Sequence, residues 1–591
     1  MKRNYIGIAN SFHDSSVSIV NSEGKVVYAE AAERYLQNKR AINHTGDCFI
    51  RIAKLVQQYC EPGAEIVVAN SWSEECFAAV EDAKKNYETE MNAWKDSEGN
   101  IPELILDKMA FREFSLNSQM NALNLTDYTL KYEISQLDEW KKYTDFEIRR
   151  YNHHFSHAAT AIYTAPYKEG VCAIIDGYGE KCSSQSFTFK NGEINPIANE
   201  NQINFMGGSL GIFYQIVCDV CGFGYFRGEE WKVMGLAAYG KFDEKYYKIM
   251  KSMLCVKGLD IVPCNSLKYN QCLRKLYSFK RKDGQPAIEY ADFAYTGQVV
   301  FQELLYEYLT NLYNKTGCDH VVLGGGAFLN SWANGEITEK TPFESCHIYS
   351  APGDDGNSLG AALLAYREDH PEWEPSGTYH TPYLGSEITA DSIDKFMKFS
   401  GMQKYVKKYD NVCQKAAELL AEGKIIGWVQ GKAEFGPRAL GNRSILADAR
   451  AKDCKDRINM KVKFREEFRP FAPSVLDEYG ADYFENYMPT PYMERTLRFK
   501  PEVVDKVPGV VHENKTGRLQ SVRREWNEKY YDLIKAFYEI TGVPLVLNTS
   551  FNVMGKPIIH SFEDALAVFF TSGLDAMIFN DYVMIKPDSA E

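Results

Sequence analysis

A two-domain α/β protein is what this sequence predicts, on three observations. At 591 residues the chain exceeds what one hydrophobic core usually organises, so two or more domains are expected. Apolar strands followed by polar turns and hairpins open the chain and recur in the same order from residue 171. A Pro-, Gly- and Thr-rich stretch, PEWEPSGTYHTPYLGSE, separates that region from a second alternation of helix and strand patterns. These signals set the domains at 1–380 and 390–591.

Composition narrows the class. Apolar residues make up 45% and charged residues 25%, ordinary values for a globular enzyme. The net charge of -13 argues against a large nucleic-acid footprint, which needs clustered Lys and Arg, but leaves room for a local basic pocket. The start, MKRNYIGIANSFHDSS, has no apolar leader with a small-residue cleavage site, and no run of about 18 apolar residues follows. No membrane partner is therefore expected. The 14 cysteines are scattered, as suits reduced thiols in a cytoplasmic protein. Cys218 and Cys221 have C-x-x-C spacing, yet no second pair follows at zinc-finger spacing, so they read as core.

The elements follow in order. YIGIA reads as a strand, then SVSIV, the turn NSEG and KVVYAEAAERY as a hairpin. Ribonuclease-H-like folds of the actin and sugar kinase superfamily begin this way. Residues 78–150 are polar and helix-like and form an expected insert that covers or shapes a site. VCAIIDGYGE and SQSFTFKNGEI repeat the opening unit, which points to two related half-domains. VVLGGGAFLN is a buried strand running into glycines and a helix, a common seat for phosphate. Beyond the boundary, VCQKAAELLAEG and KIIGWVQG begin the second α/β domain.

Four motifs carry chemistry. In YNHHFSHA, His153 and His157 stand one helical turn apart and can reach one metal ion. The Glu of a zinc protease motif is absent. Asp176, ending an apolar strand, and Asp354, opening DDG, are candidate further ligands. Two imidazoles with two carboxylates suit divalent iron or manganese better than structural zinc. In WVQGKAEFGPRALGNRSILADAR and NMKVKFREEFRPFAPSV, the cations Arg438, Arg443, Lys463 and Arg469 are set among apolar and glycine residues. Such framing suits phosphate recognition better than a solvated charged face. VPLVLNTSFN delivers Asn548, Thr549, Ser550 and Asn552 from a strand, either as nucleotide contacts or as a capped strand end. His13 and Asp14 follow the first strand, either as a turn or as a base with its partner.

HHFSHAA, SLGIFYQIV, EEWKVMGLAAYG, GGGAFLNS, PGDDGNSLGAA, EFGPRALGNRS, FREEFRPFAPSV and NTSFN resemble, in this order, the NodU/CmcH-type O-carbamoyltransferases. The resemblance covers nearly the whole chain. It implies a duplicated ribonuclease-H-like N-terminal domain like the threonylcarbamoyl-transfer proteins, and a YrdC-like C-terminal domain. It further implies that carbamoyl phosphate and ATP, with Mg2+, form carbamoyl adenylate in the C-terminal domain. A small-molecule hydroxyl, as in secondary metabolite biosynthesis, then accepts the carbamoyl group in the N-terminal domain. By the same resemblance the metal, Fe2+ or Mn2+, is held by His153, His157, Asp176 and Asp354, with Asp355 the competing choice. Arg438, Lys463, Arg469, Arg518, Asn548 and Ser550 fall where carbamoyl phosphate and ATP bind, Arg438 and Lys463 being counted as catalytic. Lys232, Gly325, Gly326 and Asn330 fall near the adenylate, and His13 becomes the candidate general base.

Two other readings compete. A protein-thiol carbamoyltransferase of the hydrogenase-maturation type would carry an acylphosphatase module and paired C-x-x-C fingers, which this sequence does not show. A non-enzymatic ATP-binding regulator would not need a second anion block. A homodimer is compatible with the sequence, and the acceptor cannot be read from it.

Overall fold

A computed structural model describes residues 2–46, 51–76, 78, 82, 103–140, 147–199, 208–224, 227–466 and 468–586. The first half of the chain holds two five-stranded sheets of one topology. In the first, the order is Val26–Ala31, Ser16–Val20, Arg3–Ala9, Glu65–Asn70 and Glu147–Arg150. The first three form an antiparallel meander, and Arg3–Ala9, Glu65–Asn70 and Glu147–Arg150 run parallel. In the second sheet, Glu193–Ile197, Ser184–Lys190 and Glu169–Ile175 make the meander, and His320–Gly324 and Ser345–Ile348 continue in parallel. The expected duplication is thus present as repeated strand order. Local chemistry sets its hairpins. In the second, Asn191 (φ 48°) and Gly192 (φ 85°) both take the left-handed region that a two-residue turn demands.

The sheets are bridged by two helices, His153–Tyr163 and Asn357–Asp369, which pack against each other. Close approach explains the small residues of GNSLGAA. A Cβ on Gly360 would lie 1.9 Å from the Ser156 carbonyl, and one on Gly7 would lie 1.8 Å from that of Ser358. This contact brings the DDG turn, Asp354–Gly356, beside the start of the histidine helix.

Of the expected insert, the helix Glu103–Ser135 is described, while residues 79–81, 83–102 and 141–146 lie outside the described residues. Leu130, Ile134, Leu137 and Trp140 bury against Ile6, Ile8 and Val68 of the first sheet. Cys218 and Cys221 are buried in the core, where burial pushes both thiols up, so the core reading of this pair holds. No described helix is long and apolar enough to cross a membrane.

The second half is built on a nine-stranded mixed sheet. Its central strands, Ile426–Val429, Arg443–Ala447, Leu545–Ser550 and Ala472–Leu476, are backed by helices Val412–Ala421 and Glu528–Thr541. Here the anion-pocket reading of Arg443 fails. Its side chain is fully buried and donates to the carbonyls of Gln430 (2.7 Å), Ser386 (2.8 Å), Asn442 (2.9 Å) and Gly431 (3.0 Å). Glu434 does the complementary work, accepting from the backbone N–H groups of Leu440, Asn442 and Arg443. The pair fixes the loop that carries Arg438. Arg443→Ala would remove the donor to four carbonyls, two of them buried, and a loss of about 3–5 kcal/mol is expected in thermal or urea unfolding.

The halves are sewn together by polar contacts. Arg34 donates to the Gly436 carbonyl at 2.7 Å and Asn334 to that of Glu494 at 2.9 Å, while Gly335 leaves room for the Thr496 carbonyl.

Candidate active site

His153 and His157 begin their helix at its buried end. Asn152 caps it by accepting from Phe155 N–H, and Glu180 accepts from the His153 N–H at 2.9 Å. Asp176 ends its strand opposite. The amide of Gly326 donates to its Oδ1 at 2.9 Å, which turns Oδ2 toward His153 Nε2 at 3.4 Å. His157 Nε2 faces Asp354 Oδ1 at 3.4 Å, and His153 Nε2 faces the same oxygen at 3.6 Å. One ligand atom from each of these four residues falls within 4.8 Å of all the others. Asp354, and not Asp355, is the aspartate of this cluster. Burial pushes Asp355 up, to about 8. Asp176 and Asp354 stay below the usual carboxylate range despite burial, because the imidazoles face them.

The donor set fits a divalent metal. His157 Nε2 is buried and has no hydrogen-bond partner, although it points at a carboxylate. His153 Nδ1 lies 3.3 Å from the Asn357 amide, whose Oδ1 has no partner. With that amide turned so that Oδ1 accepts from Nδ1–H, the Nε2 lone pair faces the carboxylates. Trp72 stacks on the His153 ring at 4.1 Å and seals one side.

His13 stands at the edge of this cluster. Its Nδ1 is 2.9 Å from Asp14 Oδ2 and 3.8 Å from Asp354 Oδ2. Arg40 pairs with Asp14 at 2.7 Å, and with His13 it holds that carboxyl down against burial. A residue without any sequence signal supports the loop: Gln119, from the inserted helix. It accepts from Phe12 N–H at 3.0 Å and donates to the Asn10 carbonyl at 2.9 Å.

The glycine loop serves the cluster through its backbone. Gly325 takes φ 94°, where a Cβ would sit 2.3 Å from the Ile175 carbonyl, and this turn aims the Gly326 amide at Asp176. Asn330 also has work within the first half. Its side chain caps helix Ser331–Lys340 and exchanges hydrogen bonds with Gln298. Lys232 reaches toward the second half, 2.7 Å from Glu229 and 3.2 Å from Glu466.

In the second half Arg438, Lys463, Arg469 and Arg518 converge, joined by Arg465. Lys463 Nζ is aimed by Asn552 Oδ1 (2.6 Å), the Asn552 carbonyl (3.1 Å) and Ser550 Oγ (3.2 Å). Burial, then Arg465 and Arg469, pushes its ammonium well below its ordinary value. Burial likewise brings Arg438 down to about 10 and, with Arg469, brings Arg465 down to about 9. Arg518 is pushed well down by burial, Arg438 and Arg465. Like charges this close raise one another's energy, and an anion among them relieves all of them. Asn459 Oδ1 holds Arg465 Nε at 2.7 Å, and Arg469 lies flat on Trp231 at 3.7 Å. Arg465, Asn459 and Trp231 all stand in blocks the sequence flags, but none is singled out there. Asn548, by contrast, uses its amide N–H groups on Ala439, Ser474 and Gln520 and braces the sheet.

The carboxylates of the His/Asp cluster and the cations of the second half line one cavity of about 1510 Å³. Its walls include His13, Asp176, Gly326 and Asp354 from the first half of the chain and Arg438, Lys463, Arg518 and Ser550 from the second. Lys232, Trp231, Glu466 and Arg469 lie on the same wall.

The carbamoyltransferase N-terminus profile matches residues 4–363 and the carbamoyltransferase C-terminus profile matches residues 417–586. Nodulation protein NolO of Bradyrhizobium diazoefficiens is 33% identical over 447 residues, covering 74% of this chain and 79% of that one. Nodulation protein NolNO of Sinorhizobium fredii is 34% identical over 447 residues, covering 74% and 63%. An uncharacterised Synechocystis protein is 29% identical over 98% of this chain and 96% of its own length. Among solved structures, full-length HypF in its phosphate- and nucleotide-bound form aligns with 62% of this chain and 55% of its own, at 15% identity and a TM-score of 0.34. On the two profile matches, which together span most of its length, the chain belongs to the carbamoyltransferase family.

Proposed function

We propose that this protein is an ATP-dependent O-carbamoyltransferase acting on a hydroxyl of a small natural product in the cytoplasm. The observation that carries the reading is the shared cavity: a cation-rich pocket and a His/Asp cluster open into the same space. In the pocket, carbamoyl phosphate, Mg-ATP and water give carbamoyl adenylate, phosphate and pyrophosphate. Lys463, Arg438, Arg465, Arg469 and Arg518 oppose the phosphate charges, and Ser550 hydrogen-bonds them. The adenylate then moves within the cavity, which keeps a hydrolysable mixed anhydride from bulk water.

At the other end, His13 donates Nδ1–H to Asp14, so its basic lone pair is on Nε2. That nitrogen takes the proton of the acceptor hydroxyl as its oxygen bonds to the carbamoyl carbon and AMP leaves. His153, His157, Asp176 and Asp354 would hold a divalent metal, iron or manganese by donor type. Bound there, such an ion supplies Lewis-acid stabilisation of the charge on departing AMP.

Incubating the protein with ATP, carbamoyl phosphate and a panel of hydroxyl metabolites should add one carbamoyl group to an acceptor, read by mass spectrometry. AMP formation that does not depend on carbamoyl phosphate would sink the reading. Gln119→Ala, which frees the loop before His13, is expected to slow transfer about tenfold while leaving pyrophosphate release unchanged.

A further inference from the structure

The cavity wall also carries a carboxylate, Glu466, that neither half-reaction uses. Glu466 accepts from Arg469 Nη1 at 3.1 Å and, through Oε1, from Lys232 Nζ at 3.2 Å. Lys232 belongs to helix Glu230–Ala237 in the first half of the chain; Arg469 belongs to the basic loop of the second half. Glu466 is therefore the carboxylate through which cations of the two halves meet. Lys232 and Arg469 are nearly buried, at 11% and 12% side-chain exposure, while Glu466 keeps 35%. Of the three, the carboxylate is the one with room to turn away. The arginine is held by a flat contact with Trp231, which does not depend on Glu466.

We propose that Glu466 is a resident counter-ion of the cavity, displaced when a phosphoanhydride takes Lys232 and Arg469. The proposal rests on the anion-pocket reading above. An Arg fork or a Lys ammonium facing phosphate oxygens gains charge-assisted hydrogen bonds, and the donors now given to Glu466 become available only when it turns away. Each arriving anion must therefore compete with this carboxylate and be repelled by it. Glu466 weakens phosphate binding and, by returning to its two cations, favours release. Glu466 is thus a residue that sets affinity, and not a catalytic residue. Against burial, a hydrogen bond from its own backbone N–H, then Lys232 and Arg469, hold its carboxyl low, so it is charged when an anion arrives.

The test uses the full chain and inorganic pyrophosphate as the probe, titrated calorimetrically at fixed pH and ionic strength. Glu466→Gln, and Glu466→Ala as a second variant, should each bind pyrophosphate about fivefold tighter than the parent, from removal of one nearby like charge. Glu466→Asp, which keeps the charge, should stay within about twofold of the parent. Equal or weaker binding by folded Glu466→Gln or Glu466→Ala overturns the proposal. Arg518→Ala separates the two readings. It should weaken pyrophosphate binding at least about tenfold, and if it does not, the anion pocket itself has been misread.

Discussion

Lys463→Ala is expected to cut carbamoyl-phosphate-dependent pyrophosphate release by about 10²–10³-fold, the cost of removing one preorganised electrostatic donor. Pyrophosphate is measured with a coupled assay at saturating ATP. The expectation follows from how the ammonium is held. Its oxygens of contact come from Ser550 and Asn552 and none carries a full charge, so phosphate oxygens can replace the Ser550 hydroxyl at a gain. Burial beside Arg465 and Arg469 also raises the energy of the free cation, so an anion stabilises it more than it would a surface lysine. Lys463→Arg is not a rescue, because a planar fork does not fit a site where the carbonyl and side-chain oxygens of Ser550 and Asn552, four acceptors, converge. A residual rate within tenfold of the parent would place adenylate formation elsewhere.

What could be read from the sequence follows a physical division. Spacing within one element was legible: a H-x-x-x-H pair must share a helix face, and His153 and His157 do. The duplication was legible because each half repeats a strand and hairpin with turn residues of its own. Contacts made only by folding were not. DDG offers two carboxylates in one turn, and only the packing of Asn357–Asp369 on the histidine helix sends Asp354 to the cluster. Arg438 and Arg443 sit in the same apolar frame, but Arg443 meets four carbonyls of neighbouring loops and of strand Tyr383–Glu387 while Arg438 reaches the cavity. Asn330 and Asn548 line the cavity, yet both also cap or brace their own elements, and sequence cannot separate these uses of one amide chemistry. Gln119 had no signal at all, since its partners lie more than a hundred residues away in the chain.

His153→Ala tests the division of labour between the two ends of the cavity. Carbamoyl transfer to the acceptor is expected to fall about 10²–10³-fold, and bound metal measured by elemental analysis should fall with it. Pyrophosphate release should persist, because none of the cations in the second-half pocket touches His153. The fold has reason to survive the change. The Asn152 cap and the hydrogen bond from His153 N–H to Glu180 use the backbone, so the helix start remains satisfied without the imidazole. The lost stacking on Trp72 leaves a cavity one ring in size, a cost of about 2–5 kcal/mol that a melting curve would register without abolishing folding. Separate loss of transfer and metal is thus the signature of a ligand at one end of a shared cavity. Equal loss of both half-reactions would mean that the His/Asp cluster takes part in adenylate formation, and that the two ends form one active site and not two in series.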